Sequence, residues 1–238
     1  ARSLLFESDT ISISNVVSQS GGRQITINGE VRGRRSERPI YDISIKADNI
    51  ALDPLLASAL PAKQRRLYNQ LDMSGATWAD VKVFTPEQES GPTTFEAEVY
   101  FKDSSLKVSG TEMVITDISA RTVFTPDLIR IEEFKGRHGG GSVELTGQIR
   151  PGQENEQTGY NLSVDAKENE LNESLFSVLP ELLRKTVSES QARGKINYHA
   201  DLDKSAGEGR IEYKIAVDCL GNSINFEKFP YPLSLIHI

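Results

Sequence analysis

The stretch YDISIKADNIALDPLLASALP (residues 41–61) recurs as YNLSVDAKENELNESLFSVLP at residues 160–180. Each copy begins with a tyrosine and alternating apolar and polar residues, and each ends in a leucine-rich segment closed by proline. The alternation is typical of a strand with one buried face, and the leucine spacing is typical of a helix. The stretch therefore predicts a strand followed closely by a helix, twice in one chain.

The similarity between the two copies extends beyond this stretch. Ten of the 43 positions from 41 to 83 are identical to the residue 119 positions later, where chance gives roughly two or three. Upstream the offset is 118, and Phe6, Asp9, Ile11, Ile13, Gly21, Gly22, Gly29 and Arg32 match Phe124, Asp127, Ile129, Ile131, Gly139, Gly140, Gly147 and Arg150. The chain is therefore predicted to contain two tandem repeats, residues 1–118 and a truncated second copy at residues 119–232.

The two ends of the chain suggest a piece of a longer protein. The final LSLIHI (233–238) is what a common transposon-derived sequencing adapter encodes when it is read as protein. We expect this tail to be non-native and the natural gene to continue beyond Pro232. The chain also begins with Ala1 rather than Met.

The leucine-rich segment is the one helical part expected in each repeat. Asp53 is placed to cap a short helix, and Pro61 is expected to break it. A second helix is then expected to run to about Leu71 and to end near Gly75. The counterparts in the second copy are Asn172, Pro180, Ser190 and Gly194.

The remaining segments alternate with period two, and turns rich in Gly, Asn and Asp separate them, as in successive antiparallel strands. One short helical segment cannot cover a broad sheet. The apolar face therefore needs a second sheet as in a sandwich, the curl of the sheet itself, or a bound apolar ligand. The side chains expected on that face are Tyr41, Ile43, Ile45, Phe95, Ala97 and Val99, with Tyr160, Leu162, Val164, Tyr213, Ile215 and Val217 in the second copy.

Composition excludes several classes of function. The net charge of -7 and the pI near 5.2 argue against binding to nucleic acid, which requires a basic surface. The single cysteine, Cys219, excludes an internal disulfide. Because it falls on the apolar alternation, we expect a buried and inert thiol.

Motifs with known chemistry are few. GRHGGGS (136–142) resembles a phosphate loop, but it lacks Lys-Ser/Thr and precedes strand-like VELTGQI, so a tight turn is expected. His138 and His199 have no carboxylate or cysteine at ligand spacing, which argues against a metal site. The adjacent Glu132 and Glu133 are expected on opposite faces of a strand.

No arrangement of serine, histidine and acid stands out, so neither an enzyme nor a cofactor is expected. Trp78 is one position off the inward register of Thr77 and Ala79, and edge packing and an interface contact are both open for it.

The order of these features resembles the repeats of the AsmA family, including its TamB-like and YhdP-like members. The segments that carry the resemblance are the glycine-rich turn and strand GRHGGGSVELTGQI (136–149), the tyrosine strand, the helix with LP at its break, and INFEKFPYPL (224–233). The first copy departs from this order, with SGTEMVITDIS (109–119) where the second has EKFPYPL (227–233).

The resemblance implies a mainly β fold with one helical segment per repeat, in which an elongated, curved antiparallel sheet forms an open groove or half-pipe. It further implies a periplasmic protein of the bacterial envelope that is anchored in the inner membrane outside this fragment. Its groove would carry phospholipid acyl chains on the twelve inward residues toward the outer membrane, with envelope or outer-membrane proteins as possible partners. The alternative is a tandem β-sandwich that serves as an adhesion or spacer module without lipid.

Overall fold

The computed structural model describes residues 3–86, 92–108, 110–152, 157–207, 210–225 and 233–234. Strands and short helices make up nearly all of these ranges. In chain order they are β1 (Ser3–Phe6), β2 (Thr10–Ser20), β3 (Arg23–Arg32), β4 (Ile40–Ala51), α1 (Pro54–Ala59), α2 (Ala62–Tyr68), β5 (Leu71–Phe84), β6 (Thr94–Val108), β7 (Val114–Phe124), β8 (Ile129–His138), β9 (Gly141–Arg150), β10 (Gly159–Glu170), α3 (Glu173–Phe176), α4 (Glu181–Glu189), β11 (Arg193–Lys204), β12 (Glu212–Ile224) and β13 (Leu233–Ser234).

All the strands belong to one antiparallel sheet, and their order in the sheet is their order in the chain. The sheet is curved and does not close on itself. No second sheet faces it within the described ranges, so the sandwich architecture is not the one adopted. The predicted open, mainly β groove is confirmed.

The order of elements in the first copy recurs in the second. The strands β3 and β4, the helix pair and the strands β5 and β6 correspond to β9 and β10, the next helix pair and β11 and β12. Backbone conformation repeats as well, since Gly29 and Gly147 have φ angles of 138° and 140°, and Gly75 and Gly194 have 115° and 119°. The predicted boundary between residues 118 and 119 falls inside β7.

Bulges interrupt the pairing of several strands and account for the bend of the sheet, because an extra residue in one strand bends it and increases its twist. Five of them contain a residue with a left-handed φ, namely Asn15, Asn49, Asp103, Asp117 and Glu168. The short polar side chains of Asn and Asp tolerate this conformation better than β-branched residues do.

A further bulge corrects the expectation for Glu132 and Glu133. Thr122 pairs with Ile131, whereas Ala120 pairs with Phe134. Two residues of β8 therefore lie between positions that share the apolar face, and both glutamates project from the opposite, solvent-exposed face.

The helical segments form as predicted at their starts. The Asp53 carboxylate accepts hydrogen bonds from the backbone N–H groups of Leu55 and Leu56, both at 3.0 Å. The Asn172 side chain accepts one from Leu175 N at 3.0 Å. These contacts satisfy backbone donors that a helix leaves free at its first turn.

The ends of the helical segments are partly corrected. The prolines 61 and 180 separate the two helices of each copy, as predicted. However, α2 ends at Tyr68, and Leu71 already begins β5. Gly75 and Gly194 lie inside β5 and β11 at irregular pairs rather than at helix ends. Close strand contact explains the second finding, because an added Cβ at Gly75 would lie 2.9 Å from the Cα of Ser104.

Side chains of α3 and α4 pack on the apolar face of the sheet near one end of the strands. Leu175 and Phe176 are buried against Ile196 of β11, together with Val187 and Tyr198. A second buried cluster, formed by Leu106, Met113, Ile115, Ile118 and Ala120, lies between β6 and β7 at the same end. The helices therefore lie on the apolar side of the sheet.

Candidate functional site

On one face of the sheet, apolar residues pair with apolar residues from strand to strand. One row crosses nine strands from β2 to β10. Its members are Val16, Ile27, Ile45, Val81, Ala97, Phe124, Ile129, Ile149 and Tyr160. The face of the sheet that contains this apolar row is called the apolar face below.

The register places all twelve predicted groove residues on the apolar face. Ile45, Ala97 and Tyr160 belong to the row, and the others follow by alternation along a strand or by pairing through β11. Ten of the twelve are buried or half-buried. Tyr213 and Val217, near the β12 edge, are more open, with exposed fractions of 42% and 50%.

Cys219 also lies on the apolar face, opposite Ile196 of β11. Its thiol is half-buried rather than fully buried as predicted. β12 is covered on one side by β11, and among the described residues it pairs on the other side with the two residues of β13, which explains the partial exposure.

The strand ends form two rims. The helix rim contains both helix pairs, the β2–β3 and β8–β9 turns, and residues 110–113 between β6 and β7. The loop rim contains the connections β3–β4 and β7–β8 and the described parts of the connections β5–β6, β9–β10 and β11–β12. Because the chain reverses at every strand, these two sets lie at opposite ends of the strands.

The first helix pair connects the two rims. Its cap Asp53 lies at the helix rim, with Oδ2 3.4 Å from Arg23 Nη1, whereas Lys63 Nζ of α2 lies 2.7 Å from Asp127 Oδ1 in the β7–β8 turn. The Gln64 side-chain amide donates to the carbonyl oxygens of Thr125 and Pro126 at 3.3 and 3.4 Å. A straight sheet would keep these groups far apart, so the strands must bend toward α2. The apolar face is therefore concave, and α2 lies across its mouth.

A cavity of about 410 Å³ lies under α2. Leu67 of α2 and Ile149 and Tyr160 of the apolar row form its apolar lining, and burial raises the pKa of the Tyr160 phenol. Lys63 and Lys204 are among its polar lining residues.

Arg66 of α2 also lines this cavity and donates through Nη2 to Gly152 O at 3.0 Å. Three cationic residues therefore line the cavity beside its apolar residues. None of the described residues that line the cavity is acidic.

The opposite, convex face is polar. Trp78 lies there, opposite Tyr100, with Arg121 next in the row and its guanidinium 6.0 Å from the centre of the Tyr100 ring. Arg121 also forms ion pairs with Glu98 and with Glu132, the latter at 3.2 Å. Trp78 is thus part of the outer surface rather than of the groove.

His199 lies on the convex face between two carboxylates. Its Nδ1 is 2.9 Å from Asp165 Oδ1, and its Nε2 is 3.3 Å from Asp201 Oδ1. The hydrogen bond to Asp165, followed by the charges of both carboxylates, raises the pKa of the imidazole. Asp201, two residues along the same strand, could have been identified from the alternation.

No group of three or more His, Cys, Asp or Glu side chains in the described ranges is arranged to hold a metal ion.

Sequence reasoning missed a network of buried, hydrogen-bonded side chains at the helix rim. His138 is 5% exposed, with Nδ1 3.2 Å from Asn169 Oδ1 and Nε2 2.9 Å from Ser174 Oγ. The Asn169 amide donates to the carbonyl oxygens of Ser142 and Lys167, which fixes its oxygen toward the imidazole. Asn169 and Ser174 are 31 and 36 positions from His138, so no local motif could reveal this hydrogen-bonded network.

The order serine, histidine, asparagine resembles a nucleophile with its base and orienting group. However, the Ser174 hydroxyl lies 2.8 Å from the carbonyl oxygen of Glu112, which it reaches as donor. Glu112 N in turn donates to Ser177 Oγ at 3.0 Å. The geometry holds α3 against β8 and the β6–β7 connection, and we interpret it as structural.

No family model, curated protein or solved structure matches this chain. The INFEKFPYPL segment cannot add to the comparison with AsmA repeats, because residues 226–232 lie outside the described ranges, as do residues 235–238 of the predicted non-native tail. Among the described residues, no helix has the length and hydropathy needed to span a membrane.

Proposed function

We propose that this chain is a segment of a lipid-carrying groove, of the kind that the AsmA-like resemblance implies for the periplasm of diderm bacteria. The observation that carries the proposal is the nine-strand apolar row on the concave face of an open sheet. Seven of the nine members are only half-buried, and Ala97 and Ile129 are buried. A row of half-buried apolar side chains on one face of an open sheet favours an apolar partner.

Charge distribution supports an acyl chain as the occupant. Ionic side chains such as Arg121, Glu132 and Glu133 project from the convex face, whereas the concave row is apolar from Val16 to Tyr160. The cations under α2 stand beside the apolar lining, which matches a molecule with an apolar body and a charged end.

The mechanism is physical. An acyl chain on the concave face gains about 0.8 kcal/mol for each methylene removed from water, with no covalent step. The row passes from strand to strand through apolar side chains, so an acyl chain that moves from one position to the next does not cross a polar member of the row. A lipid can therefore move along the row by small displacements.

The competing function is a spacer or adhesion module without lipid cargo. In such a module, the same apolar residues would form an ordinary hydrophobic core beneath the helices. The two functions differ at positions such as Ile45, which is distant in sequence from the α3–α4 cluster and is only half-buried.

Site-specific photocrosslinking separates these functions. A benzophenone side chain at Ile45 on the concave face is expected to label phospholipid when the full chain is produced in a diderm bacterium. The matched control is the adjacent Lys46, which projects from the convex face. Mass spectrometry of the products measures the labelled fraction.

Labelling at Ile45, Val99 and Leu162 but not at Lys46 supports the groove. Labelling confined to protein, or equal lipid labelling at Ile45 and Lys46, contradicts it. Native mass spectrometry of the unmodified chain provides an independent measurement, because a groove should retain phospholipid through purification.

A further inference from the structure

The residue that follows the apolar row on the next strand is charged. Tyr160 of β10 pairs with Lys204 of β11, so the lysine lies on the concave face as the next member of the row. The side chain is only half-exposed. A lysine in this position has to reach water or meet an anion, because burying an unpaired ammonium is costly.

The first copy lacks this charge. The residue 119 positions before Lys204 is Thr85, beside Tyr41, and its backbone N–H donates to Tyr41 O at 2.9 Å. The repeat therefore keeps the tyrosine in both copies and exchanges threonine for lysine in the second. The charge is a local feature of the second copy rather than a requirement of the fold.

The cavity under α2 adds two cationic side chains to Lys204. Lys63 is bound to Asp127 through one contact and retains further donors, since an ammonium has three. Arg66 contributes a guanidinium, which also donates to Gly152 O at 3.0 Å. Arginine and lysine together are the usual partners of phosphate oxygens.

We propose that this cavity binds the phosphate headgroup of an anionic phospholipid, whose acyl chains extend along the apolar row from Tyr160. This inference rests on the proposed lipid groove and specifies where in it the headgroup is held. The volume of about 410 Å³ lies within the roughly 300–1,000 Å³ of small-molecule sites. Lys63, Arg66 and Leu67 of α2 form one wall of the cavity.

The test compares two fluorescent lipids with the same acyl chains, phosphatidic acid and diacylglycerol, binding to the delipidated full chain. Phosphatidic acid is expected to bind about threefold to tenfold more tightly, which is the range for one or two partly exposed charge-assisted contacts. Replacing Lys204 by the first-copy residue, Lys204→Thr, should remove most of this preference, measured as the ratio of the two dissociation constants. Lys204→Gln should act in the same way.

Two controls define the role of the charge. Lys204→Arg should retain the preference, and Lys214→Thr, which removes an exposed lysine from β12 on the convex face, should leave it intact. Far-UV circular dichroism confirms that each variant is folded.

Equal binding of both lipids by the unchanged chain overturns the headgroup site and leaves the groove standing. Failure to bind either lipid overturns both. If millimolar inorganic phosphate, measured by calorimetry, binds as tightly as phosphatidic acid, the cavity is a site for free anions and the inference is wrong.

Discussion

At the residue scale, the clearest electrostatic feature is the imidazole of His199 between Asp165 and Asp201. Its neighbour across the sheet on β12 is the uncharged Ala216, and Lys214 lies diagonally, opposite Asp201. Both carboxylates favour the protonated imidazole, so the folded-state pKa lies above the usual value of 6.5.

The sign of the pH dependence follows from this direction. A raised folded-state pKa stabilises the fold fully below pH 6.5, and the contribution is lost as the pH rises through the higher folded-state value. We expect NMR titration to give His199 a pKa above 6.5, and Asp165→Asn to lower it.

In denaturant unfolding, the native chain should lose stability relative to His199→Gln as the pH rises from 6.5, the unfolded-state pKa, through the higher folded-state pKa. Asp80→Asn, on the convex face of β5 away from His199, serves as the control. A His199 pKa at or below 6.5 contradicts the assignment.

At this scale, sequence reasoning was correct for residues whose role depends only on their neighbours in the chain. Asp53 as a helix cap and Pro61 as a break follow from local chemistry, and both are found. The chain from His138 through Asn169 and Ser174 could not be predicted, because its members come together only when β8, β10 and α3 are in place.

At the scale of the elements, alternation predicted the strands well, and the bulges were the main omission. A bulge adds one residue to a strand, so an alternation counted straight through it assigns the wrong face, as happened at Glu133. The left-handed residue at Asn49 is the type of local signal that marks such a site. Pattern alone cannot tell this asparagine from one in a turn.

The bridge from α2 to the loop rim was also beyond prediction, since it joins residues about 60 positions apart. Gln64 is 6% exposed, and its amide holds two backbone carbonyls of the β7–β8 turn. Removing the amide leaves the carbonyls of two half-buried residues without this donor, at a cost of about 1–2 kcal/mol.

Gln64→Ala should therefore weaken the bridge. We expect hydrogen exchange of the α2 backbone amides to accelerate roughly five- to thirtyfold, the equivalent of that free energy for local opening. Strand amides of β9 and β10 should keep their protection. Lys185→Ala in α4, whose side chain is 74% exposed, is the matched control. Unchanged exchange in α2 would show that these hydrogen bonds do not hold the bridge.

At the scale of the whole molecule, surface area expresses how open the sheet is. The chain has an accessible surface of 15157 Å² and a mass of 26.3 kDa. A compact monomer of this mass exposes about 10,600 Å². The excess is consistent with one curved sheet whose concave face is only partly covered by the short helices.

Because the exposed concave face limits how much apolar area folding buries, a bound lipid should raise the stability of the chain. A ligand that binds only the folded state at a hundred times its dissociation constant adds about 2.7 kcal/mol. For a domain of this size that corresponds to an increase in Tm of roughly 5–10 °C. Differential scanning calorimetry of the delipidated chain, with and without phospholipid below its critical micelle concentration, measures the shift. The soluble glycerol phosphate headgroup at the same concentration lacks acyl chains and should raise Tm much less. An equal shift with the headgroup alone, or none with lipid, would mean that the concave face does not receive acyl chains.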